Sequence, residues 1–179
     1  MSNKALFDLD PDHTDKVRAI PPDMNTVTPH LVCANAAQAI DFYKQAFGAI
    51  EQARLAGPDG KIAHACLRIG NSAIFLFDEN PQWGALGPLA LKGTPVSIHL
   101  YVDNADEAAR KAVAAGAKLI MEVQDMFWGD RYGLLEDPYG HRWSVATHVK
   151  DLSPEEIKKA SETMLTDGGC AGGEAKAGA

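Results

Sequence analysis

Two stretches of the chain repeat one pattern of apolar and polar positions. "TPHLVCANAAQAIDFYKQAFGA", beginning at Thr28, and "SIHLYVDNADEAARKAVAAGA", beginning at Ser97, share one plan: residues of alternating polarity, a turn at an asparagine, then a helical period ending at glycine. His30 matches His99, Leu31 matches Leu100, Asn35 matches Asn104 and Ala36 matches Ala105, a constant offset of 69 positions (99 − 30 and 104 − 35). No gap is needed until the glycines at the helix ends, Gly48 and Gly116. Such self-similarity marks a duplicated structural unit.

Strand patterns follow each predicted helix. After the first come Glu51–Leu55, a Gly57-Pro58-Asp59-Gly60 turn, Lys61–Ile69, a Gly70-Asn71 turn and Ser72–Phe77. After the second come Lys118–Val123, Arg131–Glu136, an Asp137-Pro138-Tyr139-Gly140 turn and His141–His148. The predicted fold class is therefore α+β: two βαβββ modules, residues 25–90 and 94–150, with the helices on one face of each sheet. Residues 1–24 read as an extension, ending in an Ile20-Pro21-Pro22 stretch that favours an extended path. Ser153-Pro154-Glu155-Glu156 starts a helix within residues 151–166, with Ser as N-cap, Pro at the first position and Glu three after the cap. The Gly/Ala-rich tail, residues 167–179, offers almost nothing to bury and reads as disordered.

Alternation splits each strand into two faces. Ile98, Leu100 and Val102 form an apolar set destined for the helix side, which leaves Ser97, His99 and Tyr101 on the other. In the first copy Val27, Pro29, Leu31 and Cys33 take the helix side, and Thr28, His30 and Val32 the opposite one. In the last strand Trp143 and Val145 read as core, while Ser144, Ala146 and His148 share the polar face.

Composition narrows the function classes. Of the 179 residues 46% are hydrophobic and 23% charged, enough apolar material for a core. A net charge of −7 without a basic stretch argues against nucleic acid as a partner. No apolar run approaches the roughly 18 residues that cross a bilayer, so no membrane partner is expected. The polar, acidic N-terminal residues do not resemble a signal peptide. Cys33, Cys66 and Cys170 are too scattered for a disulfide framework or a metal knuckle, and a reducing cytoplasm is the expected compartment.

The paired modules, "AIDFYKQAFGA" after the first strand, and the ordered series "FWGDRYG", "DPYGHRWSVATH" and "SPEEI" resemble the vicinal oxygen chelate superfamily. That group includes glyoxalase I, bleomycin-resistance proteins and extradiol dioxygenases, and the series is most similar to its PhnB-like branch. The resemblance covers roughly residues 25–160. It implies a cupped mixed sheet around a small-molecule cavity, commonly in homodimers. It also implies where the metal ligands of metal-dependent members would fall: Thr28, Ser97, Ser144 and a position within Ser72–Phe77. Three of these hold hydroxyls, which rarely ligate Zn²⁺, Ni²⁺ or Fe²⁺. The expectation is therefore a protein without the family metal or any other cofactor, binding a small organic molecule as a sequestration or resistance protein does.

Candidate ligand-binding residues are His30, His99, Tyr101, Trp128, Arg131, Ser144 and His148. His30 and His99 are either hydrogen-bonded residues of the cavity wall or ligand contacts. A relocated metal site built from His30, His99 and His148 is the alternative that would make this an enzyme, a lyase, isomerase or dioxygenase-like member of the same group. Trp128 beside Arg131 suits a planar or anionic ligand through stacking and bidentate hydrogen bonds. The plainer reading makes Trp128 a plug, with Arg131 paired to Asp130 or Glu136 on the surface. No P-loop, dinucleotide fingerprint or Ser-His-Asp order occurs.

Overall fold

Each half of the chain begins with the same local event. Asn35 and Asn104, both in extended conformation, accept hydrogen bonds from the backbone N–H of Gln38 and Glu107, so each strand ends where a capped helix begins. The computed structural model describes residues 17–166, and the expected disordered tail lies outside them. Within these residues the order is β1 (His30–Cys33), α1 (Ala36–Phe47), β2 (Ile50–Ala56), β3 (Ile62–Ile69), β4 (Ser72–Asp78), α2 (Pro88–Leu91), β5 (Ser97–Tyr101), α3 (Ala105–Ala114), β6 (Lys118–Asp125), β7 (Asp130–Glu136), β8 (Arg142–His148) and α4 (Pro154–Thr166).

The strands form two four-stranded sheets of identical plan, β1-β4-β3-β2 and β5-β8-β7-β6. The first strand of each module runs parallel to its last, and the remaining neighbours are antiparallel. The offset of the sequence repeat extends into the register: His30 pairs with Phe75, and His99 pairs with Ser144. It also extends to the helix starts. The Asp78 carboxylate accepts from Ala36 N–H, and the Thr147 hydroxyl accepts from Ala105 N–H, both at 2.8 Å.

The alternation expected of β5 and β8 is observed. Ile98, Leu100 and Val102 pack against the core, and Trp143 and Val145 are fully buried. The reading of Val27 needs correction. It is 80% exposed, because β1 starts only at His30 and alternation has no meaning before the strand exists. The two sheets also stay separate. β1 and β5 are edge strands facing a common cleft, not neighbours in one ladder.

One core holds both modules. Tyr43 and Phe47 of α1 lie 5.2 and 4.7 Å, centroid to centroid, from the ring of Trp143 on β8. Between them sits the buried carboxylate of Asp137. Its Oδ2 accepts from Tyr43 Oη–H at 2.7 Å and Trp143 Nε1–H at 2.9 Å, and its Oδ1 accepts from the N–H groups of Tyr139 and His141. Burial and the neighbouring Asp137 charge push the Tyr43 hydroxyl well above its ordinary range, so it stays a donor. Asp137→Ala would leave the buried hydroxyl and indole N–H unpartnered. We expect a loss of about 2–5 kcal/mol of unfolding free energy by urea denaturation. Loss below about 1 kcal/mol would show that water replaces the carboxylate.

Candidate functional site

The face of each sheet away from the helices carries rings, and the two faces differ. On the first, His30 lies 5.6 Å from His64, 5.7 Å from Phe75 and 4.8 Å from Phe77, centroid to centroid, and His64 lies 4.9 Å from Phe75. Burial in this apolar surround, and next the charge of His64, lower the pKa of His30, so it is a neutral imidazole at pH 7.

The second face is hydrogen-bonded as well as aromatic. His99 Nδ1 is 2.8 Å from Ser144 Oγ, a hydrogen bond that fixes the ring. His99 stacks against Tyr132 at 5.9 Å and meets Tyr101 edge-on at 4.7 Å, and Trp128 meets Tyr132 edge-on at 5.7 Å. This face is organised by Asp130, 5% exposed at the start of β7. Its Oδ2 accepts from Tyr101 Oη–H at 3.2 Å and Trp128 Nε1–H at 3.1 Å, and its Oδ1 lies 2.8 Å from His148 Nδ1. Burial alone pushes the Asp130 carboxyl up; the bonds from His148, Tyr101 and Trp128 outweigh it and hold the group below its ordinary pKa. His148 Nε2 meets Asp151 at 3.1 Å, so both ring nitrogens face carboxylates, which favours the protonated ring. The bond to Asp130, then that to Asp151, raise its pKa above the ordinary 6.5.

The Trp128 loop is pinned by backbone. Gly129 O accepts from the N–H groups of both Val149 and Lys150, and a Cβ on Gly129 would lie 2.3 Å from Lys150 O. With φ at +100°, only glycine fits there without strain.

Ser144, His99, Tyr101, Trp128 and His148 thus share one face. His30 lies on the sheet of the other module. Arg131 is not with them. Its Nε and Nη2 grip the Asp106 carboxylate of α3, and its Nη1 lies 3.1 Å from Asp125. The reason is register: Asp130, Tyr132 and Leu134 oppose His148, Ala146 and Ser144 on the polar face, so Arg131 points to the helix side. Neither suggested partner, Asp130 or Glu136, holds it. Trp83 is 82% exposed in the connector between modules.

What joins His30 to His99 is a cleft of about 560 Å³ between the edge strands β1 and β5. Pro29–Val32, Val96–His99, part of the connector from Leu86 to Pro95, His141 and Arg142 line it. His141 Nε2 lies 3.1 Å from Val32 O, joining the turn of one module to the edge of the other. His64, Phe75, Phe77, Asp130 and Tyr132, which the sequence reading did not single out, complete the ring contacts and hydrogen bonds of the two faces, though none of them lines the cleft. Counting outward from Tyr139 through the hairpin would have put Asp130 and Tyr132 on the face of Ser144.

Paired βαβββ modules with capped helices on one face of each sheet and ring-rich open faces on the other define the glyoxalase type of fold. The chain belongs to the Glyoxalase/Bleomycin resistance protein/Dioxygenase superfamily, whose family model matches residues 24–145. It is 45% identical over 141 residues to the Mycobacterium tuberculosis protein Rv0887c, covering 77% of this chain and 83% of that protein. The crystal structure of PA1353 from Pseudomonas aeruginosa aligns with a TM-score of 0.58 and 27% identity, covering 69% of this chain and 98% of that one. The PhnB protein of Bacillus cereus, at 16% identity and a TM-score of 0.54 over 69% of this chain and 99% of its own, is alike in fold.

A divalent metal does not fit the residues present. The register puts the open fourth ligand position at Phe75, the counterpart of Ser144, so the set is Thr28, Phe75, Ser97 and Ser144. Three hydroxyls and a phenyl ring offer no imidazole, thiolate or carboxylate. Among the described residues no three His, Cys, Asp or Glu side chains gather to hold a metal elsewhere.

The two shifted histidines can be read in one NMR titration. His148 should titrate above 6.5 and His30 below it. Asp130→Asn should bring His148 down toward 6.5 without moving His30. By linkage, the stabilisation from His148 is complete below pH 6.5 and fades as pH rises through its raised pKa, whereas that tied to neutral His30 is present above 6.5 and fades as pH falls through its lowered pKa. Identical midpoints for the two rings would contradict both assignments.

Proposed function

We propose that this protein binds a small organic molecule at the cleft between β1 and β5, against His30 and His99, and holds it without a metal. It would work as a homodimer in the cytoplasm, as a sequestering protein. The observation that carries this reading is the combination of a ligand-sized cleft, about 560 Å³, with a donor set unsuited to metal chemistry. The ring-lined faces beside it supply stacking surface, and the hydrogen bond between Ser144 Oγ and His99 Nδ1 fixes the ring, whose other nitrogen can donate to or accept from a ligand. Among the described residues no helix is long and apolar enough to cross a membrane.

A fragment screen by thermal shift, followed by NMR at the His30 and His99 rings and the Val96 and Ile98 methyls, tests the reading. Hits should shift these signals and be recovered chemically unchanged after incubation. EDTA should leave the melting temperature where it was, and sedimentation should give twice the chain mass. Converted fragments, or one equivalent of tightly held transition metal lost in His30→Ala, would replace this reading with an enzyme.

A further inference from the structure

We infer that the cleft selects an apolar molecule bearing a carboxylate, and that Arg142 receives the acid; this rests on the cleft being the ligand site. Its walls are mostly hydrocarbon, from Pro29, Val32, Leu86, Pro88, Leu91, Val96 and Ile98. No Asp or Glu is among the described residues that line it, and the one permanent charge among them is the guanidinium of Arg142.

That guanidinium is available. Its partner Glu136 is 3.9 Å away, at the outer limit of an ion pair, and both side chains reach solvent, at 45% and 34% exposure. Such a pair contributes little and yields to a better one. Arg131 makes an instructive contrast, because it is already gripped through Nε and Nη2 by Asp106 and by Asp125 at 3.1 Å. The carboxylate nearest along the chain, Asp137, is buried beneath the turn and occupied by four donors. A ligand carboxylate could therefore take Arg142 in a two-pronged contact while its apolar part lies against the cleft wall. An ammonium group would meet a like charge and no lining carboxylate. The chain's net charge of −7 opposes anions at long range, but salt screens that field beyond about 8 Å, whereas the guanidinium acts in contact.

Three probes of one shape test the charge: 4-phenylbutyrate, 4-phenylbutan-1-ol and 4-phenylbutylamine, titrated into the full chain by calorimetry and followed at the Val96 and Ile98 methyls. The acid should bind at least about tenfold more tightly than the alcohol, and the amine most weakly. Arg142→Gln should weaken the acid by about tenfold to a hundredfold and leave the alcohol unchanged. Val96 is 63% exposed, so Val96→Glu should fold normally, weaken the acid and strengthen the amine. Equal binding of acid and alcohol, tighter binding of the amine, or an unchanged acid affinity in Arg142→Gln would overturn the inference. So would silence of the cleft methyls with all three probes, an outcome that leaves the broader reading standing as long as hits of the fragment screen shift those signals.

Discussion

The arrangement depends on one buried carboxylate. Asp137 closes its own turn by accepting from Tyr139 and His141 N–H, anchors the core of its own sheet through the indole of Trp143, and reaches the other module through the hydroxyl of Tyr43. A buried carboxylate is tolerable only when donors surround it, and here the donors come from both halves of the duplication. The same turn orients His141, whose ring meets the β1 edge at Val32 O. The turn thus ties the second module to the β1 edge at the cleft. Asp137 does not line the cleft, but through the His141 turn it is joined to a residue that does.

The duplication keeps backbone tasks and lets side-chain chemistry drift. Asn35 and Asn104 cap the two helices in the same way. Asp78 and Thr147 hold the next helical N–H with different groups at the same distance, 2.8 Å. On the open faces the drift goes further, with Phe75 where its counterpart is Ser144. One face has become an aromatic surface around a neutral imidazole, and the other a hydrogen-bonded assembly around Asp130. The cleft takes one ring from each face, His30 and His99, and the two rings stand in unlike surroundings.

The sequence made the architecture legible because repeat, caps and alternation all pointed the same way. Ile98, Leu100, Trp143 and Val145 went to the core as alternation required. The failures are local and have physical causes. Val27 lies outside the strand to which its parity was assigned. Arg131 was grouped with Trp128 by nearness in sequence, but adjacent strand residues point to opposite faces, and its partner Asp106 lies on a helix 25 positions earlier. The role of Asp137 was hidden because a turn motif shows the local hydrogen bonds and not the tyrosine, 94 positions away, that completes the set. The asymmetry of the faces needed the register, which sets Phe75 beside His30 where Ser144 stands beside His99.

The cleft also bears on a problem that every open sheet faces. Edge strands expose unpaired backbone groups and invite further strands to add. Here one edge of each sheet, β1 and β5, faces the same cleft, and His141 covers part of the β1 edge at Val32 O. Pro95 lies just before β5, and a proline has no N–H to offer an incoming strand. An incoming β-strand would have to displace the imidazole and pass the proline, whereas a small molecule need do neither. The features that guard these two edges against strand addition therefore leave the gap between them open, with apolar walls and with Arg142, at the start of β8, among its lining residues.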